Sequence, residues 1–137
     1  MKTVFTNGCF DILHQGHLDL LNNARKYGDR LVVGINSDES IKRLKGSRRP
    51  INNQDFRSNL LLSLKCIDKV LIFNEDTPIN LIMSINPDIL IKGGDYKKIE
   101  VVGSKYVSSY GGKTIILPLT KGFSTTAIIE KILNKYR

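Results

Sequence analysis

The chain is expected to fold as a three-layer α/β sandwich, with a five-stranded parallel sheet and helices on both faces. Three observations predict this. Short apolar β-branched runs alternate with stretches of helical periodicity along the chain. The runs are apolar at consecutive positions rather than alternate ones, as strands buried on both faces require. And 137 residues, 41% of them hydrophobic, suffice for one core without staples, so residues 1–137 read as one domain.

The elements follow in order. Lys2–Thr6 reads as a strand. Gly16 to Tyr27 reads as a helix, because His17, Leu20, Leu21, Ala24 and Tyr27 share one face. Arg30–Asn36 is a buried strand, and a short helix follows Ser37-Asp38-Glu39. After a basic stretch to Pro50, Gln54–Cys66 carries a helical pattern through Leu60, Leu61 and Leu64. Lys69–Phe73 is a strand, and Pro78 opens a helix through Ile79, Ile82 and Met83. Asp88–Ile91 is a strand ending at Lys92-Gly93-Gly94-Asp95. Val101–Tyr110 reads as a helix stopped by Gly111-Gly112. Lys113–Leu117 is the last strand. Ser124 starts the last helix, with Thr125, Ile128, Ile129, Ile132 and Tyr136 down one side.

Composition narrows the function classes. No signal-peptide apolar region is present, and no apolar run approaches a membrane span. Cys9 and Cys66 form no metal-ligand spacing; reduced thiols in a cytoplasm are the simpler reading. The net charge of +8 calls for an anionic partner: nucleic acid, a membrane surface or a polyphosphate. There is no G-x-x-x-x-G-K-[ST] and no G-x-G-x-x-G, which disfavours P-loop and dinucleotide-binding chemistry.

Candidate sites lie just after strands, where ligands of such sheets bind. The only two histidines, His14 and His17, stand in Thr6–His17, between Gly8 and the helix that begins near Gly16. At i, i+3 they share one side of a helix start, where two imidazoles and the helix dipole can face one phosphate. Gly8 and Gly16 would allow a ligand close to the backbone. A capping His beside a half-buried His is the bland rival. Zinc is disfavoured, since no Cys or third His completes a ligand set nearby.

Three further segments carry weaker signals. Ser124-Thr125-Thr126 after Lys121 offers hydroxyls and free N–H groups for phosphate, although an N-cap alone explains Ser124. Lys42–Pro50 is either a solvated loop, a nucleic-acid patch or a basic loop that folds over a triphosphate; no aromatic residue is interleaved for base stacking. Lys92-Gly93-Gly94-Asp95 is either a tight turn or a place where Asp95 meets a sugar hydroxyl.

Gly8-Cys9-Phe10-Asp11 followed by His14-x-Gly16-His17, with Ser124-Thr125-Thr126 late in the chain, resembles the signature of the cytidylyltransferase-like nucleotidyltransferases, which have a Rossmann-like fold. Asn36-Ser37-Asp38, Lys42–Gly46, Arg49-Pro50, Glu75–Pro78, Pro87-Asp88, Lys92–Tyr96 and Val102-Gly103 are similar to the heptose 1-phosphate adenylyltransferase branch. That activity is often the C-terminal half of a bifunctional kinase/adenylyltransferase; the present chain reads as a free-standing form. The resemblance implies AMP transfer from ATP, with Mg²⁺, to D-glycero-β-D-manno-heptose 1-phosphate, giving ADP-heptose and pyrophosphate for lipopolysaccharide or other surface heptose. It also implies a homodimer, and neither nucleic acid nor membrane as a partner.

The resemblance implies His14, His17 and Lys45 as catalytic residues. It implies Gly8, Cys9, Phe10, Gly16, Lys92, Gly94, Asp95, Ser124, Thr125 and Thr126 as nucleotide or phosphate contacts. Asp11, Arg48, Arg49 and Arg57 are candidate acceptor or loop contacts, with Asp11 also a candidate metal ligand. One departure is visible: the glycerol-phosphate cytidylyltransferase branch carries Arg-Thr-Glu-Gly-Ile where this chain has Leu119-Thr120-Lys121-Gly122-Phe123. The nearest rival is accordingly a CTP-dependent enzyme acting on glycerol 3-phosphate or a similar small phosphate.

Overall fold

The computed structural model describes residues 1–137. Five strands, β1 (Thr3–Gly8), β2 (Arg30–Asn36), β3 (Lys69–Phe73), β4 (Ile89–Gly93) and β5 (Lys113–Leu117), form one all-parallel sheet in the order β3-β2-β1-β4-β5. Six helices connect them: α1 (Gln15–Arg25), α2 (Asp38–Lys45), α3 (Gln54–Leu62), α4 (Ile79–Ile85), α5 (Ser104–Ser108) and α6 (Thr125–Tyr136). The expected Rossmann-like class is thus the observed one.

The pleat sorts each strand between two cores. Val4, Leu31, Val33, Ile35, Ile89, Ile91 and Leu117 pack with Leu21 and Ala24 of α1 and Leu61 of α3. Phe5, Val32 and Leu90 face the other way, against Ile82 of α4, Val107 of α5 and Val101. Each fully buried aliphatic side chain contributes about 1.5–3 kcal/mol, which is why short strands suffice.

Several boundaries differ from the sequence expectation. β1 runs to Gly8, because register with β2 continues to Gly8↔Ile35. The helix expected over Val101–Tyr110 is a 3₁₀ turn at Lys98–Glu100 and the short α5, which begins after Gly103 in a left-handed conformation (φ 89°). α3 ends at Leu62, before Cys66. The largest difference is α6. Its apolar side exists as expected, but none of its residues is buried; Ile132 is 50% and Tyr136 84% exposed. No helix is long and apolar enough to cross a membrane.

The strand order reverses between β1 and β4, on either side of the first strand. A crevice opens at the carboxyl ends of strands at such a point. The loop after β1 therefore carries the site.

Candidate active site

His14 is the N-cap of α1, in extended backbone conformation (φ −139°, ψ 176°). Its Nδ1 accepts from Gly16 N–H at 3.1 Å, and the Nδ1 of His17 accepts from His14 N–H at 3.3 Å. The two histidines thus form a reciprocal capping box in imidazole form. With both Nδ1 atoms accepting, the neutral rings carry their proton on Nε2 and offer it as a donor. The rings are stacked, centroids 3.7 Å apart and 23° from parallel. Phe10 packs against His17 at 5.0 Å.

Charge is kept off this pair. Burial, then His14 and Lys45, push His17 down from 6.5 to about 4, and burial lowers His14 as well. Both are neutral donors at pH 7, so His17 keeps the lone pair that caps the helix.

The histidines line a cleft of about 300 Å³ together with Gly16, Leu20, Lys45, Arg49, Leu119, Thr120, Phe123, Ser124, Thr125 and Thr126. Two distant ends of the chain meet here. Ser124 caps α6 by accepting from Ala127 N–H at 3.0 Å. Thr125 Oγ1 donates to Asp11 O, and Arg49 Nη2 donates to Thr126 Oγ1 at 3.3 Å. The Thr125 and Thr126 N–H groups have no protein acceptor, so the positive end of α6 faces the cleft with two free donors.

Other candidate residues have different roles. Asp11 is 3% exposed, and its carboxylate accepts from Ile51 N–H at 2.7 Å and Asn52 N–H at 2.9 Å. That corrects its assignment as a metal or acceptor contact: both oxygens bind the basic loop onto the β1–α1 turn. Arg57 is corrected likewise. It is 1% exposed, and it donates to Asn52 O, Cys9 O and Asn36 O at 2.8–2.9 Å and to the Asp38 carboxylate at 2.9 Å. It ties the ends of β1 and β2 to the basic loop and has no open face for an acceptor phosphate.

Gly8 and Gly16 make room for the protein's own side chains, and Gly16 also lines the cleft. A Cβ at Gly8 would meet the Phe10 ring at 3.0 Å, and one at Gly16 would meet His14 Cε1 at 3.0 Å. Cys9 and Phe10 are outside the cleft lining: the Cys9 thiol faces Asn36 Oδ1 at 3.7 Å, and Phe10 packs on His17. Arg48 is exposed and outside the cleft lining. Lys92, Gly94 and Asp95 also lie outside it. Lys92 sits over the Tyr96 ring, and Gly93 and Gly94 pack under Leu119, which forms the cleft wall.

The cleft also takes in Leu20, Leu119, Thr120 and Phe123, which the sequence marks only as part of one helix face and of the stretch Leu119–Phe123, with no site role. Strain also marks the site: Phe10 and Ile12 have φ of 49° and 57°. For a β-branched residue such as Ile12 this costs about 1–3 kcal/mol, which the Asp11 and Thr125 bonds around it offset. No three His, Cys, Asp or Glu side chains cluster as metal ligands, and Asp11, buried and turned to the Ile51 and Asn52 N–H groups, is a lone carboxylate, so the donor set does not fit a resident Mg²⁺.

This architecture recurs in known proteins. Residues 5–131 match the cytidylyltransferase-like family. The chain is 54% identical over 135 residues to the bifunctional protein HldE of Geobacter sulfurreducens and 56% identical over 131 residues to that of Haemophilus influenzae. These matches cover 98% and 96% of the chain but only 28% of either relative's length. A lipopolysaccharide core biosynthesis protein from Thermoplasma volcanium superposes with a TM-score of 0.72 at 31% identity, covering 90% of this chain and 99% of that one. Pantothenate synthetase from Thermus thermophilus shares the fold, with a TM-score of 0.60 at 16% identity. The chain therefore belongs to the cytidylyltransferase-like family, as a nucleotidyltransferase.

Proposed function

We propose that the protein transfers AMP from ATP to D-glycero-β-D-manno-heptose 1-phosphate, releasing pyrophosphate and giving ADP-heptose for lipopolysaccharide core or other surface heptose. The observation that carries nucleotidyl transfer is the stacked, neutral His14–His17 pair in a cleft shared with the free N–H groups of α6. The choice of ATP and heptose phosphate is supported by the similarity to HldE and to the lipopolysaccharide core biosynthesis protein.

The reaction is an in-line attack by an acceptor phosphate oxygen on the α-phosphorus. A Pα–O bond forms to the acceptor, and the Pα–O bond to pyrophosphate breaks. A phosphate monoester is ionised near neutral pH, with a second pKa of about 6, so no general base is required. The protein positions the reactants and neutralises charge. The Nε2–H groups of His14 and His17 donate to the α-phosphate and to the oxygen that leaves with pyrophosphate. The Thr125 and Thr126 N–H groups hold the β- and γ-phosphates, and Lys45 at the end of α2 and Arg49 in the loop after it supply positive charge. Mg²⁺ enters with the nucleotide, as part of the substrate.

The test is a panel of each triphosphate with each acceptor, read by pyrophosphate release. ATP with heptose 1-phosphate should give the highest kcat/KM. A preference for CTP with glycerol 3-phosphate would overturn the assignment.

A further inference from the structure

α6 is carried outside the core, with none of its twelve residues buried. Of its apolar side chains only Ile128 and Ile129 are half-buried, so the position of its first turn, the phosphate seat, depends also on polar tethers. Two are the contacts of Thr125 with Asp11 O and of Thr126 with Arg49. The third lies upstream: Thr120 Oγ1 donates to the Asp19 carboxylate at 2.6 Å.

The third tether differs from the others in what it joins. Asp19 is on α1, the helix that contains His17 and is capped by His14. Its other oxygen accepts from Gln15 Nε2 at 2.8 Å, one helical turn back, so the carboxylate is held at both oxygens. Those two hydrogen bonds hold its carboxyl below the usual range. Leu119, beside Thr120, is seated so closely over β4 that a Cβ at Gly93 would lie 2.9 Å from Leu119 Cδ2 and 3.3 Å from Leu20 Cδ1. The loop between β5 and α6 is thus registered against α1 at two neighbouring points, one polar and one apolar.

We propose that Asp19 is a positioning residue: through Thr120 it sets the phosphate seat of α6 at a fixed distance from the imidazoles on its own helix. In this role it touches no substrate. The proposal rests on reading Ser124–Thr126 as the phosphate seat. The catalytic consequence is geometric. Donors on α1 and α6 must meet one triphosphate at the same time, and a seat displaced by about 1 Å loses that match.

The experiment uses Asp19→Ala, Thr120→Val and the double variant. Affinity for ATP and for inorganic tripolyphosphate is measured by calorimetry, and kcat and KM by pyrophosphate release. Loss of one hydrogen bond predicts about a three- to tenfold weaker triphosphate affinity in either single variant. The double variant should be no worse than the singles, since both remove the same bond. KM for the acceptor should change less than twofold. Asp19→Asn, which keeps an acceptor oxygen, should recover most of the affinity. Amide exchange over residues 118–126 should quicken while the strands stay protected.

Additive effects of Asp19→Ala and Thr120→Val, or unchanged tripolyphosphate affinity with only a lower Tm, would overturn the positioning role. If the heptose 1-phosphate reaction fails in the wild type while tripolyphosphate affinity follows the predicted pattern, the substrate assignment falls and the positioning role stands. If the wild type binds no tripolyphosphate at millimolar concentration, the phosphate seat falls, and the positioning role with it.

Discussion

Protonation of His17 is the perturbation with the clearest consequences. An unperturbed imidazole, with a pKa of 6.5, would be about one-quarter charged at pH 7; at about 4, His17 is charged in about one molecule in a thousand. Its Nδ1 lone pair accepts from His14 N–H, so protonation breaks the capping box as well as adding charge 3.7 Å from a second ring. The sign for stability follows. Between 6.5 and about 4 the unfolded chain binds the proton and the folded chain does not, so stability is full above 6.5 and is lost as pH falls towards 4. The gap corresponds to about 3 kcal/mol at full strength, and partial exposure of the ring screens it to about 1–2 kcal/mol. Nitrogen-detected NMR of the free protein should show His17 neutral from pH 8 to 5, protonated at Nε2, and titrating near 4. Chemical denaturation at pH 7 and pH 4.5 should show the loss of stability. A His17 that titrates near 6.5, or that carries its neutral proton on Nδ1, would refute both the capping box and the neutral-donor mechanism.

Three other outcomes are expected. Gly16→Ala should leave thermal stability nearly unchanged, since Ala favours helix, yet lower kcat about tenfold or more, because the new Cβ displaces the His14 ring 3.0 Å away. Arg57→Met should lower stability by about 3 kcal/mol in urea titration, as it orphans the Asp38 carboxylate and three carbonyls; a change under 1 kcal/mol would reject its role as a buried clamp. Lys45→Ala, at an exposed helix end, should raise KM for the triphosphate about tenfold without altering Tm, and should let the His17 pKa rise, because Lys45 is one of the charges holding it down.

Much of the molecule was legible from local pattern. Each of the five strands carries a short apolar run, although β3, at the edge of the sheet, is buried only at Phe73. The helix starts at His14, Ser37, Asn53 and Ser124 show in the chain because a capping side chain bonds a backbone amide two or three residues on. The histidine pair was visible for the same reason: its geometry is that of one helical turn. The start of α5 was not legible, since Gly103 takes a left-handed conformation in the middle of an otherwise helical pattern.

What the sequence by itself determined is therefore the α/β class, the strands and the short-range chemistry of His14, His17 and Ser124. Only the tertiary structure decided the roles of Asp11 and Arg57. Asp11 bonds Ile51 and Asn52, and Arg57 bonds Cys9, each 40 or more residues away, and a charged residue read in isolation looks like a ligand contact until its hydrogen bonds are counted. The fold also decided that the apolar side of α6 is covered only in part, at Ile128 and Ile129, although its periodicity matches that of a buried helix. Periodicity reports which residues share a face; burial depends on whether another element arrives there, and at α6 the polar tethers of Thr120, Thr125 and Thr126 add to that partial cover.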